Sequence, residues 1–250
     1  MQEMTELPNY IAHRIRRSIP RESFVVPGST PVVSFGNAIT SSVATVGLNP
    51  SRVEFLDRSG AELVGSFRRL ATHCSLGVND LSSAPIDTIK EVFSDCNSYF
   101  DRNPYRQWFD QLEQILKHSG FSYYNGTACH LDLVQWATDP TWGRLKPRSL
   151  REELIRADST FLREQLSREN IQLVFVNGSG VISELKRRFD TQLTEVDSIR
   201  GMGHADTRIF EGSILDGVRV VAWSTNLQSS FGVSSELRSE LASRISRLTK

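Results

Sequence analysis

The chain has 250 residues, 39% hydrophobic and 23% charged, with 29 Lys and Arg balanced by 29 Asp and Glu. That length buries a full core as one large α/β domain or two small ones. Zero net charge argues against a general coat on nucleic acid but leaves room for local phosphate contacts. Cys74, Cys96 and Cys129 form no CxxC or CxxH pair, so they indicate no disulfide framework, zinc site or four-cysteine iron–sulfur cluster. Neither a metal nor a cofactor is expected.

The N-terminus carries no apolar signal core, and no run is long enough to span a bilayer. A cytoplasmic protein without a membrane partner is the expectation. Residues 8–18 read as a short basic helix, residues 27–31 as a turn and residues 32–36 as a short edge strand. Residues 43–48 form the first core strand. The spacing of Leu63, Phe67, Leu70 and Ala71 predicts a helix over 61–76. Trp108, Leu112, Ile115 and Leu116 predict another over 105–119, with Gly120 at its C-terminal cap. Residues 127–133 form the second core strand. Ser149-Leu150-Arg151-Glu152 has a capping-box pattern and opens an amphipathic helix through Leu150, Leu154, Phe161 and Leu162.

Residues 171–176 form the third core strand, and Asn177-Gly178-Ser179-Gly180 turns into a helix ending in Lys186-Arg187-Arg188. Residues 208–213 and 218–223 flank Asp216-Gly217 as a hairpin. A last helix from Ser235 carries Leu237, Leu241, Ile245 and Leu248. Alternating strands and helices predict an α/β fold: an open, mostly parallel four-stranded central sheet with helices on both faces, plus an added edge hairpin. One domain spans residues 1–250, with residues 1–31 as an N-terminal extension.

The first core strand runs into Gly47-Leu48-Asn49-Pro50-Ser51. In open α/β sheets the carboxyl ends of strands bind ligands. Gly47 permits close backbone approach, and Pro50 biases Asn49 towards an extended conformation. Asn-Pro is equally an ordinary turn signal. Residues 47–51, 132–138 and 223–232 all leave carboxyl ends of core strands, so they are expected to converge on one crevice.

Gly47-Leu48-Asn49-Pro50 resembles the first catalytic motif, Gly-x-Asn-Pro, of the mismatch-specific and single-strand-selective branches of the uracil-DNA glycosylase superfamily. The resemblance runs from about residue 32 to the C-terminus. His130-Leu131-Asp132-Leu133 occupies the place of the base-reading strand, and Trp223-Ser224-Thr225-Asn226-Leu227 falls where the family has His-Pro-Ser-Pro-Leu. The longer run from Gly47 to Phe55 and the run 130–142 are similar to a bacterial subgroup whose substrates are poorly defined. The resemblance implies a metal-free DNA glycosylase. Asn49 would orient the attacking water, since a carboxamide does not titrate usefully. Gly47, Leu48, Phe55, Trp223 and Asn226 would contact the base, with Phe67 the other stacking candidate. Leu227 would wedge into the duplex when the base is flipped.

Two departures bear on the substrate. The family's histidine is Trp223 here, which has one N–H donor and cannot be cationic. The base reader that is often Asn is Asp132, whose carboxylate accepts from an exocyclic amine. Both favour a modified cytosine over uracil, and some superfamily members excise hypermodified phage cytosines as a defence. A uracil or mismatch glycosylase is the alternative. Asp132 also reads as a helix cap or an ion-pair partner. His130 and Asp132 share a strand face, as acid and orienter or as a structural hydrogen bond. His204 and Asp206 make a second such pair, better read as a turn. Arg144, Lys146 and Arg148 are the expected phosphate contacts, with Ser229 and Ser179 beside them on DNA. Such clusters, Arg68-Arg69 and Lys186 to Arg188 included, are also common on solvated faces. A non-catalytic nucleic-acid module would explain the missing histidine. A small-molecule hydrolase is the third reading, and no Gly-x-Ser-x-Gly elbow supports it.

Overall fold

The computed structural model describes residues 6–20, 24–201, 206–215, 217–228 and 233–249. Among them are seven α-helices: α1 (Asn9–Ile15), α2 (His73–Leu76), α3 (Ile86–Asn97), α4 (Arg106–His118), α5 (Arg148–Arg168), α6 (Ser179–Arg188) and α7 (Ser235–Leu248). The strands are β1 (Val43–Gly47), β2 (Ala128–Asp132), β3 (Leu173–Asn177), β4 (Thr191–Ile199), β5 (Thr207–Ile214) and β6 (Val218–Trp223). They form one α/β sheet in the order β2-β1-β3-β6-β5-β4. β3 runs parallel to both β1 and β6, while β5 runs antiparallel to β6 and β4.

Burial explains this order. Every residue of β2 and β3 is buried, and β1 is buried up to Gly47. Successive strand side chains point to opposite faces, so unbroken burial requires cover on both. β4 alternates imperfectly and is largely exposed, as an edge strand can be. Gly212 of β5 admits this edge, because a Cβ there would stand 1.7 Å from the Gln192 carbonyl oxygen. Strand order reverses at β1, with β2 on one side and β3 on the other. The carboxyl ends of β1 and β3, Gly47 and Asn177, therefore mark the position where open α/β sheets bind ligands.

Contacts divide the chain into two compact units. The first comprises Met1–Ile39, Leu48–Tyr105 and Leu131–Leu162. Its signature is a buried ionic brace. Asp158 Oδ2 accepts from Arg14 at 2.9 Å and from the Gln135 backbone N–H at 3.1 Å, and Oδ1 accepts from Arg17 at 2.8 Å. Arg14 Nε donates to Gln135 Oε1 at 3.0 Å. Burial lowers the Arg14 guanidinium to about 10, against the pull of Asp158. The brace ties α1 and α5 to the loop after β2. Beside it, Val25, Val134, Trp136, Leu145, Leu154 and Ile155 form an apolar cluster. The short basic helix expected at residues 8–18, within the N-terminal extension 1–31, forms as α1 and contributes Ile11, Ala12 and Ile15 to the core.

The second unit comprises Thr40–Gly47, Arg106–His130 and Arg163–Lys250. In it α7 packs on α4 and β4, and α6 on β3 and β4. The expected helices at 105–119, 179–188 and from Ser235 form here, as does the hairpin of β5 and β6.

The sheet has six strands: four in the order β2-β1-β3-β6, continued at one edge by the antiparallel pair β5 and β4, of which β4 was not expected from the sequence. Two expectations are corrected. Residues 61–76 are not one helix: a 3-10 turn spans Gly65–Phe67, and α2 begins only at His73. Thr72 and Ser75 close a capping box there, and Gly77, with φ of 64°, ends the turn. Phe67 faces solvent, so the apolar spacing was not a helix face. Residues 32–36 form no strand. They are buried, but Val32 N–H donates to the Gln135 carbonyl and Gly36 N–H to the Cys96 carbonyl.

Candidate functional site

In the first unit the loop after β1 fixes Asn49. Its Nδ2 donates to the carbonyl oxygens of Pro50 (3.0 Å) and Trp136 (3.2 Å) and to Thr138 Oγ1 (3.2 Å). Carbonyl oxygens only accept, so the amide end facing them must be nitrogen. The side-chain orientation is therefore decided, and Oδ1 is directed away from all three. The loop is itself clamped: Val134 N–H donates to the Leu48 carbonyl at 2.9 Å, and Arg52 pairs with Asp139 at 2.7 Å. The buried brace at Gln135 holds the other wall. Gly47 has no positive φ, so flexibility is not what that position requires.

Five residues on, Glu54 is 2% exposed at the end of the 3-10 turn Arg52–Glu54. Tyr99 Oη donates to its Oε2 at 2.6 Å, and the Tyr105 N–H donates to Tyr99 Oη at 2.9 Å. Burial raises the Glu54 carboxyl from 4.5 to about 7; the Tyr99 hydrogen bond and Arg69 oppose this, and the charge of Asp132 adds to it. Asp132, at the end of β2, is also buried. Asp132 and Glu54 thus lie within electrostatic reach of each other, while Asn49 is held by Trp136 and Thr138 of the loop after β2. Sequence reading missed Glu54 because it lies between Val53 and Phe55 and is partnered by a tyrosine 45 positions away. Its one local signal is its place between the apolar residues Val53 and Phe55.

This burial has a measurable sign. A carboxyl whose folded value is raised stabilises most below its unfolded value of 4.5, and that stability is lost as pH rises through about 7. Between pH 5 and pH 8 the loss is roughly 2–3 kcal/mol, at about 1.4 kcal/mol per unit. Urea denaturation of Glu54→Gln should show that this fall, relative to the wild type, has disappeared. Equal pH dependence in the two proteins would contradict the burial cost.

Phe55 is a core residue, and Phe67 is 71% exposed, so neither occupies the half-buried position of a stacking wall. Arg144, Lys146 and Arg148 are exposed around the buried anchor Leu145, which suits contact with phosphates.

The second unit holds His130, Trp223, Asn226, Leu227 and Ser179, and three of these expectations change. His130 is buried, with Nδ1 2.6 Å from Thr45 Oγ1, which lies 2.5 Å from Tyr123 Oη. The Phe109 ring packs against it edge to face. That is a structural core histidine. Trp223 is fully buried and its Nε1 donates to Asn177 Oδ1 at 2.8 Å, so the donor expected to meet a base is already committed. Leu227 is also fully buried, and its N–H donates to the same oxygen at 3.0 Å. A wedge must stand on the surface; Leu227 instead pins its loop.

Asn177 is the hub. Its Nδ2 donates to Asn226 Oδ1 at 2.9 Å and Gln228 Oε1 at 3.1 Å. Its role was legible only as the start of a turn. Gly178, with φ of 97°, and Ser179 spend their N–H groups on the Trp223 and Ser224 carbonyls, so the start of α6 lacks those two donors for a phosphate. The Ser179 side chain itself is on an exposed residue. Ser229 and His204 lie outside the described residues.

No family model and no curated protein matches this chain. Among the described residues no group of three or more His, Cys, Asp or Glu is placed to hold a metal ion, and no helix is long and apolar enough to cross a membrane.

Proposed function

We propose that the protein is a DNA glycosylase that hydrolyses the bond between a flipped pyrimidine and its sugar. The observation that carries this reading is Asn49. Three acceptors hold its amide nitrogen, and its oxygen is left oriented as a fixed acceptor. Cleaving a base–sugar bond builds positive charge on the sugar and negative charge on the base. An oriented water and a pre-set polar environment are what such a reaction needs. The resemblance of Gly47-Leu48-Asn49-Pro50 to the Gly-x-Asn-Pro motif gives the same role to the same residue. The exposed cations of residues 144–148 fit a partner with a phosphate backbone.

The substrate we favour is a modified cytosine, such as glucosylated hydroxymethylcytosine in phage DNA. Asp132 suits an edge that presents an amine, and the commitment of Trp223 to Asn177 removes a donor that would support a departing uracil anion. Matched oligonucleotides carrying uracil, cytosine, 5-hydroxymethylcytosine or its glucosylated form, assayed for abasic sites, test the choice. The modified cytosines should be released faster than uracil. Efficient uracil release with none from any cytosine derivative would reverse it. A second reading, a nucleic-acid-binding module without catalysis, is favoured by the burial of both Trp223 and Leu227.

A further inference from the structure

We infer that Phe24 and Trp142 form a stacking platform for the unpaired bases of a single DNA strand, with Arg144 and Lys146 holding its phosphates, beside the loop that carries Asn49. The inference rests on DNA being the substrate, as proposed above, and names the surface that holds the strand.

Backbone pairing brings the parts together. Thr138 bridges Ser51 on one side and Val25 on the other. Neighbouring strands lie about 4.8 Å apart, so Val25 stands roughly 10 Å from Ser51, two residues after Asn49. Asn49 itself reaches Thr138 Oγ1 at 3.2 Å. The pairing continues on both flanks of Val25. The Val26 N–H donates to the Ala137 carbonyl at 2.9 Å, and the Asp139 N–H donates to the Phe24 carbonyl at 2.9 Å. Successive side chains of an extended segment alternate in direction. Val25 points into the apolar cluster with Leu145, so Phe24 is turned outward and is 42% exposed.

Trp142 packs against the same cluster from the 3-10 turn Trp142–Arg144 and is half-buried. Two backbone bonds fix this turn: Arg144 N–H to the Thr141 carbonyl at 2.8 Å and Leu145 N–H to the Trp142 carbonyl at 3.2 Å. Leu145 is its buried anchor, and Arg144 and Lys146 on either side are exposed. Residues 140–148 carry three cations and no acidic residue, in a chain of zero net charge. The flanking acids Asp139 and Glu152 pair with Arg52 and Arg148. A lone exposed phenylalanine needs no explanation. An exposed ring, a half-buried ring and cations around one anchor are the parts of a single-strand site, where bases stack on the rings and phosphates meet the cations. A paired duplex gains little from the rings, because its bases are already stacked on one another. A single strand also lowers the cost of extruding the target base, which agrees with the burial of Leu227 where a wedge was expected.

Anisotropy of labelled oligonucleotides of one sequence, single-stranded and duplex, tests this together with tryptophan fluorescence. Single strands should quench the wild-type emission, and Trp142→Phe should lose that quenching. Phe24→Ala, at an exposed position, should fold as the wild type does. It should weaken single-strand binding about tenfold and duplex binding less than about threefold, with an unchanged salt dependence, and Phe24→Trp should restore the affinity. Arg144→Ala should instead lower the slope of log affinity against log salt by about 0.7. A change of less than about twofold in single-strand affinity for Phe24→Ala, or an equal loss on duplex, would overturn the platform while leaving the glycosylase reading intact. Wild-type protein that binds neither form of DNA would overturn both. Single-strand binding that depends on Phe24, with no base released from any oligonucleotide, would support the platform and overturn the glycosylase reading alone.

Discussion

Asn49→Ala should fold as the wild type does and lose about tenfold to a thousandfold in single-turnover base release, the range for removing one oriented polar group from a reacting centre. Its side chain is half-buried and its three hydrogen bonds serve the loop. The effect should therefore fall on the rate far more than on DNA affinity. Asn49→Asp separates orientation from proton abstraction. A carboxylate would face the Pro50 and Trp136 carbonyl oxygens, which repel it, so this variant should also be slow. A faster Asn49→Asp would mean that the position serves a general base. An unchanged rate in Asn49→Ala would remove Asn49 from the mechanism.

The second large effect is on stability. Asp158→Ala should cost about 3–5 kcal/mol, because it strands the buried Arg14 guanidinium without its counter-ion. Both side chains of that pair are 1% exposed, whereas Arg17, on the other carboxylate oxygen, is 39% exposed. Arg17→Ala should accordingly cost no more than about 1 kcal/mol. Urea titrations of the two variants give the comparison. Similar, small losses in both would show that Arg14 is not held in a dry interior. The brace also bears on the reaction. Asp158 and Arg14 grip Gln135, and the next residues supply the Trp136 carbonyl and Thr138 hydroxyl that orient Asn49.

Much of the fold was legible where one interaction dominated. The β-branched runs at 43–47 and 173–177 are buried on both sides and read as core strands. α4 and α7 carry their apolar stripes openly in the sequence. β4 was not legible, because an edge strand needs little apolar surface and a bulge between Glu195 and Asp197 breaks its alternation. α3 carries Ile89, Val92, Phe93 and Cys96 at helical spacing, yet it went unread among the polar residues around them. The false helix at 61–76 arose from four apolar residues whose spacing coincided with a turn of helix while Gly65 and Thr72 set other local structure.

The site divides in the same way. Asn49 could be singled out because its neighbours Gly47 and Pro50 constrain the backbone locally. Glu54 and Asn177 could not, because what defines them is a tyrosine and a tryptophan tens of positions away. Trp223 and Leu227 stand where a motif would place base-contacting and duplex-wedging residues, and their burial against Asn177 gives them a structural task instead. Register explains it: Asn177 and Trp223 are direct partners across β3 and β6, a pairing that sequence spacing does not reveal.

The most direct measurement is chemical. Wild-type protein is incubated with oligonucleotides carrying glucosylated hydroxymethylcytosine, and free base and abasic sites are quantified together by mass spectrometry. The account predicts that both appear in equal amounts, and that Asn49→Ala slows both equally while binding the same DNA. Tight DNA binding with neither product, from this oligonucleotide or from its uracil, cytosine and hydroxymethylcytosine counterparts, would contradict catalysis and leave a binding module.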